Sequence, residues 1–418
     1  VACYQEIYLS HEDRCKKPCK IASRLGRIDR TPDLGDSLDM QFLDNFLDET
    51  HHMVRATCRR FAETEIAPHA YEWEEAEEFP RALYNTAAEA GVLGVGFPEE
   101  VGGSGGSYLH AVMAIEGLMR GGSTGVTVGL GTAGIALPAI IQSGSAELID
   151  RFVRPALAGE TVSALCITEP GAGSDVAGIQ TRAIREGDSY RVNGSKMFIT
   201  SGVRADILTT LVRTSDDPHL GLSFLVIESA SPGVSVSRSL KKTGWRASDT
   251  AEIAFDDVVV PADQLVGPEG SAFVTLMKNF QMERLALAAY GMATAEIALE
   301  ETKKYVAERK AFDRPIGSFQ VTRHKIADMA TQVVALKTLV YQVAKRMEEG
   351  FDATTEVSMA KNLAAETAIA VTYEAVQLHG GMGYMRETLV ERLSRDARLL
   401  PIGGGTQEIM KEIISRRL

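Results

Sequence analysis

Between about Asp39 and Gly159 apolar residues recur at helical spacing, with Phe42, Phe46 and Leu47 falling on one stripe. Glycine clusters at 102–106 and 121–131 interrupt this pattern and are expected to separate helices, because glycine has the most conformational freedom to lose. The period then changes. Residues 189–200 alternate in character around an Asn193-Gly194 pair, which predicts a β-hairpin. Leu222 to Ile227 and Thr250 to Pro261 also read as strands. Beyond Gly270 the helical period returns and runs nearly to the end. The order of helices, strands and helices, with no internal repeat, predicts an α+β chain. Its parts are a helical domain over 39–162, a central β domain over 163–270 and a helical domain over 271–418.

Totals add a few bounds. A chain of 418 residues is expected to fold as two or three packed units. It is 45% apolar and 24% charged, and no apolar run is long enough to cross a bilayer. The net charge of -12 argues against nonspecific binding of a polyanion such as nucleic acid. Cys3, Cys15, Cys19, Cys58 and Cys166 are too few and too irregularly spaced for a disulfide framework or a zinc knuckle, which favours a reducing compartment. Bacterial cytoplasm ranks ahead of the mitochondrial matrix. Residues 1–38 mix basic residues with Glu6, Glu12, Asp13 and Asp29, so they match neither a presequence nor a secretory signal and stand as a leader or tail of open status.

Three glycine-rich stretches carry candidate chemistry. Residues 166–175 leave a strand and enter a loop of small residues, whose successive N–H groups suit an anion or a flat ring. Residues 377–384 read as a second loop between helices; His379 there has no partner at metal-ligand spacing. Residues 401–410 contain Gly403, Gly404 and Gly405 before Thr406, a helix cap, and Glu408, an acid in the first turn. On the helix starting near Ser271, Leu276, Phe280 and Leu287 build one inward stripe, and Glu283 falls in it. An acid on an apolar face has either a partner or a function, and partial burial raises its pKa toward that of a useful base.

Residues 166–175, 196–200, Asp249-Thr250 with 255–258, 309–312, 377–384 and the Gly-Gly-Thr end resemble the acyl-CoA dehydrogenase family, in family order and over roughly residues 40–418. The resemblance implies a helical N-terminal domain, a central β-barrel-like domain and a C-terminal four-helix bundle. It implies FAD as cofactor, a homotetramer, and electrons leaving through an electron-transferring flavoprotein. The implied reaction is α,β-dehydrogenation of an acyl-CoA thioester to the trans-2-enoyl-CoA, with the β-hydride passed to flavin N5. Many members carry their base as a glutamate where this chain has Gly404; isovaleryl-CoA and long-chain members carry it at the position of Glu283.

The resemblance also assigns roles residue by residue. Gly404 would give its backbone N–H to the thioester oxygen, and Gly403, where medium-chain members have tyrosine, would clear room for a medium-to-long or branched acyl group. Ile167, Thr168, Phe198 and Thr200 match positions around the flavin ring, and Ser174 one touching both FAD and the CoA arm. Arg309, Phe312, Gln320, Gln377, Gly380 and Gly381 match the set that reaches the FAD of a neighbouring subunit; Ala311 departs from the usual serine or threonine. Thr406 and Glu408 match positions near the adenosine part, and Arg284 one supporting the CoA arm. Arg395 and Asp396 read as an ion-pair network. The alternatives are an oxygen-using flavoenzyme on the same fold and an inactive acyl-CoA-binding homologue.

Overall fold

The computed structural model describes residues 41–418. The leader, Cys3, Cys15, Cys19 and the side chain of Phe42 lie outside the described residues. Over the described residues the helical periodicity expected from about Asp39 does not open as one continuous helix. A short 3-10 turn, Gln41–Phe46, precedes helix α1 (Glu49–Phe61). Asp48 caps α1 by accepting from Thr50 N and His51 N, while His51 Nδ1 accepts from Asp48 N. That reciprocal cap breaks the helix there. Leu43 is buried, and Phe46 and Leu47 pack partly buried against the same core.

Helices α2 (Ala70–Ala76), α3 (Tyr108–Met119) and α4 (Thr124–Leu130) follow, with the helix Ala82–Glu89 lying between α2 and α3. The glycines of 121–131 do not simply separate helices, because Gly125 and Gly129 lie within α4. A Cβ on Gly125 would come within 2.9 Å of Ala247 N, and one on Gly129 within 2.6 Å of the Phe79 ring. Close approach, rather than a break, explains them.

Eight strands form one sheet in the order β6-β7-β3-β2-β4-β5-β8, with β1 also paired to β4. They are β1 (Ser163–Cys166), β2 (Arg182–Glu186), β3 (Ser189–Thr200), β4 (Ile207–Arg213), β5 (Leu222–Glu228), β6 (Val234–Ser239), β7 (Thr250–Pro261) and β8 (Leu265–Val266). The hairpin expected at Asn193-Gly194 is corrected. Residues 189–200 are one strand, and the hairpin joins β2 to β3 through Gly187 and Asp188, with Glu186 paired to Ser189. Asn193-Gly194 instead marks a bulge in the β3–β7 ladder, where Asn193 Nδ2 donates to Asp257 Oδ1 and Asp257 N donates back to Asn193 Oδ1.

The C-terminal part is built on α5 (Ala272–Glu308), about 55 Å long at 1.5 Å per residue. It packs with α6 (Gln320–Glu348) and α7 (Thr354–His379), and the short helices α8 (Leu389–Ala397) and α9 (Gln407–Ser415) close against α7. Lys337 of α6 is buried between Glu116 of α3, at 2.6 Å, and Glu296 of α5, at 2.8 Å, tying the two helical parts together. Tyr341 OH donates to the remaining Glu116 oxygen at 2.5 Å, so this buried charge cluster has its polar groups matched. Among the described residues no single helix is long and apolar enough to cross a membrane.

Candidate active site

The face of α5 predicted to point inward does so. Leu276 and Leu287 are buried, while Phe280 and Glu283 are half-buried between them. Burial raises the Glu283 carboxyl above its ordinary 4.5, against the opposing pull of the Arg284 and Lys361 charges. Arg284 is buried too; its guanidinium lies 5.5 Å from the Phe280 ring centroid and its Nε has no hydrogen-bond partner. Among the described residues neither Glu283 nor Arg284 forms an ion pair with an acid or base on another helix.

The glycine turn from 401 to 407 faces this carboxyl. Gly403 N donates to Leu399 O and Gln407 N to Pro401 O, each at 3.0 Å, which closes the turn. Thr406 caps α9 by accepting from Ile409 N, as its position suggested. Gly404 has φ +63° and Gly405 φ +94°. A Cβ on Gly404 would collide with Leu287 Cδ1 and sit 3.4 Å from Glu283 Oε1. The Gly404 N–H donates to no protein group among the described residues. At Gly403 a Cβ would meet only Leu399 at ordinary contact, 3.8 Å or more, so the space there is open.

The sequence reading missed two residues that hold this turn. Lys361 of α7, almost completely buried, donates from Nζ to Gly405 O at 2.6 Å, and Asn362 Nδ2 donates to Gln407 O at 3.1 Å. Burial, with Arg284 nearby, pulls the Lys361 ammonium down to about 8, against the opposing influence of Glu283 and Glu408. The signal was legible: Lys361 sits in an apolar stripe with Val357, Ala364 and Ala365, as Glu283 does in its own.

A second wall comes from the sheet. Lys196 of β3 is fully buried and donates to Ile167 O at 3.0 Å and Glu169 Oε1 at 2.8 Å. Glu169 in turn accepts from Gln180 N and Thr181 N, and Met197 N donates to Thr168 O at 2.8 Å. The 166–175 loop is thereby riveted to β3, with Thr168 bonded to Met197, the residue before Phe198 on the strand that ends at Thr200. Phe198 is 62% exposed at φ +62°, and a Cβ on Gly171 or Gly173 would meet nothing within 4 Å. An exposed ring beside an open glycine loop with half-buried threonines and exposed Ser174 fits a flat, phosphate-bearing cofactor such as FAD. Ile167 and Phe280 pack on one apolar cluster, so this wall meets the α5 stripe.

The remaining residues gather elsewhere. Arg309 follows α5, and its carbonyl accepts from Ile316 N across the hairpin of β9 (Lys310–Ala311) and β10 (Arg314–Pro315). Phe312, at its tip, is 89% exposed and meets Phe319 edge-on. Gln320 opens α6 nearby. Tyr305 stacks on His379 at 4.2 Å and donates to its carbonyl, joining this region to Gly380 and Gly381. Gln377 lies in the last turn of α7, not in a loop as expected. Glu283 and Arg309 are about 39 Å apart along α5. One chain therefore does not bring the 309–320 and 377–381 groups to Glu283. Arg395 forms an ion pair with Glu391 at 2.7 Å, as expected of a structural network, whereas Asp396 is held by the Trp245 N–H at 2.6 Å.

Family models for the N-terminal, middle and C-terminal domains of acyl-CoA dehydrogenase match residues 48–160, 164–258 and 271–418. The chain belongs to the acyl-CoA dehydrogenase family, FAD-dependent oxidoreductases acting on CH–CH donors. It is 38% identical over 376 residues to the mitochondrial long-chain specific acyl-CoA dehydrogenase of Mus musculus, covering 88% of this chain and 86% of that one. It is 36% identical to the caffeyl-CoA reductase-Etf complex subunit CarC of Acetobacterium woodii, covering 89% and 99%. A crystal structure of a probable acyl CoA dehydrogenase from Mycobacterium abscessus superposes with TM-score 0.88 at 53% identity, covering 89% and 99%. A glutaryl-CoA dehydrogenase from Mycobacterium smegmatis, solved in complex with FADH2, superposes with TM-score 0.86 at 26% identity, covering 91% and 97%.

Proposed function

We propose that this enzyme removes the α-proton of an acyl-CoA with Glu283 and steadies the developing enolate with the Gly404 N–H. One observation carries the reading: Glu283 Oε1 lies 3.4 Å from where a side chain on Gly404 would begin. A carboxyl supplied by α5 and one supplied by the terminal turn thus converge on one spot, and the chain keeps the first and omits the second. The hydrogen beside a thioester carbonyl is weakly acidic, so its removal needs a positioned base and a donor aimed at the oxygen where charge develops. Burial biases Glu283 toward holding a proton, which suits it to take one near neutrality. Buried Leu276 and Leu287, with half-buried Phe280, limit the access of water to it.

FAD, when bound, supplies the acceptor for the β-hydride, giving the trans-2-enoyl-CoA. Ile167, Thr168, Ser174, Phe198 and Thr200 are the residues that would hold it on this chain. Arg284 supports the CoA arm, its buried guanidinium lacking any carboxylate partner among the described residues. Arg309, Phe312, Gln320, Gln377, Gly380 and Gly381 serve a neighbouring copy's cofactor. Their separation from Glu283, and the exposure of Phe312 at 89% and Tyr384 at 80%, support assembly into a homotetramer. An electron-transferring flavoprotein takes the electrons onward, a reading supported by the Etf-complex relative. Open space at Gly403 supports a medium-to-long or branched acyl group.

The test is Glu283→Gln examined by substrate-dependent bleaching of bound FAD across a panel of straight and branched acyl-CoAs. Bleaching is expected to slow by about 10²–10⁴-fold with FAD retained. Bleaching at the parent rate would show that another group is the base.

A further inference from the structure

We infer that Lys361 is a positioning residue which, with Asn362, sets the orientation of the Gly404 amide toward the reacting thioester. The inference rests on the reading of Glu283 and Gly404 given above. The terminal turn is poorly constrained by its own sequence, since Gly403, Gly404 and Gly405 in succession have wide backbone freedom. Its internal hydrogen bonds, Gly403 N to Leu399 O and Gln407 N to Pro401 O, span the turn without fixing the peptide planes between them. Bonds from α7 brace the C-terminal side of the turn, one at the 405–406 peptide that follows Gly404 and one at the start of α9. Lys361 Nζ donates to Gly405 O at 2.6 Å and Asn362 Nδ2 to Gln407 O at 3.1 Å, both from adjacent positions on α7. Helix α7 is packed along α5, the helix that carries Glu283, so the base and its opposing amide share one rigid frame.

Lys361 is 1% exposed and forms no salt bridge among the described residues. Burying an ammonium without a carboxylate partner is expensive, and filling the space between the helices alone would be served as well by an apolar side chain. What an apolar side chain does not provide is a charged donor, which makes a stronger and shorter hydrogen bond to a carbonyl. A turn held this way presents the Gly404 N–H with no reorganisation at the moment charge develops on the thioester oxygen.

The experiment follows exchange of the α-proton into deuterated water, using a 3-thia-acyl-CoA, which has an acidic α-hydrogen but has sulfur where the β-carbon would be and so offers no β-hydride to transfer. FAD content and the affinity for the corresponding S-alkyl-CoA thioether, which lacks the carbonyl oxygen, are measured alongside. Lys361→Met is expected to slow exchange by at least about 10-fold, part of the roughly 10²–10³-fold that one oxyanion donor contributes, with thioether affinity within about 3-fold of the parent. Exchange within about 3-fold of the parent rate, or thioether affinity falling in step with exchange, overturns the inference. Should Lys361→Met fail to retain FAD, Asn362→Leu is judged by the same two criteria. Glu283→Gln separates the two readings: if it still exchanges, the base is misassigned, whereas if it is dead while Lys361→Met is normal, only the role of Lys361 fails.

Discussion

Leu287 Cδ1 fills the direction in which any side chain on Gly404 would leave the backbone, and Gly404 stands at φ +63°. Glycine is therefore required there twice, for conformation and for space. Gly404→Ala is expected to lose about 1–2 kcal/mol from the left-handed backbone and about 1–3 kcal/mol from overpacking. Combining it with Leu287→Ala relieves only the second part. Denaturant unfolding of both single variants and the double variant should show the pair more stable than the sum of its parts. Simple additivity would mean the two residues do not press on each other.

The acid side of the pH profile follows from Glu283. Its carboxyl is raised above 4.5 by burial, with the Arg284 and Lys361 charges opposing, and only the carboxylate can take a proton. Exchange of the α-proton should therefore fall, as pH is lowered, through a midpoint above 4.5. Lys361→Met removes one of the two cations and should move that limb to higher pH. A limb that shifts downward, or stays put, would contradict the electrostatic coupling.

The rivet between β3 and the 166–175 loop predicts a cofactor effect. Lys196→Met leaves Glu169 its two backbone donors, Gln180 N and Thr181 N, but releases Ile167 O and the buried charge pair. Breaking such a pair costs about 3–5 kcal/mol. Titration of apoenzyme with FAD should show affinity weaker by at least about 10-fold, equivalent to about 1.4 kcal/mol. A folded variant that binds FAD like the parent would disconnect the rivet from the cofactor.

Asp396 gives a stability prediction of opposite sign to an ordinary carboxylate. Burial, then the nearby Glu74 charge, lift it from 3.8 to about 7, while it accepts from Trp245 N. A raised folded-state value means its stabilising contribution is fully present below 3.8 and is lost as pH rises through about 7. Asp396→Asn keeps an acceptor for Trp245 N and has nothing to ionise. It should unfold at higher denaturant than the parent at pH 8, with a smaller difference between pH 5 and pH 8. Equal pH slopes in the two proteins would show that Asp396 is already ionised across that range.

Much of this was legible in one dimension because period and cap chemistry are local. The stripe of Leu276, Phe280, Glu283 and Leu287 needs only 3.6-residue geometry to place a carboxyl on a buried face, and Thr406 announces its helix by side-chain type alone. Other signals were ambiguous in kind. Asn193-Gly194 offers a left-handed backbone, which serves a bulge as well as a turn, and only pairing with β7 chose the bulge. Gly125 and Gly129 look like helix breakers until Ala247 and Phe79 are seen to press on them.

The sequence by itself determined the helical, sheet and helical order, the acyl-CoA dehydrogenase resemblance and the presence of an acid where apolar residues belong. Tertiary structure alone decided that this acid faces Gly404, that Lys361 grips the neighbouring carbonyl, and that the Arg309 region stands far from both. The reason is physical: periodicity fixes which way a side chain leaves its own helix, but the meeting of α5, α7 and a glycine turn depends on helix packing across more than a hundred residues of chain, which no local pattern encodes.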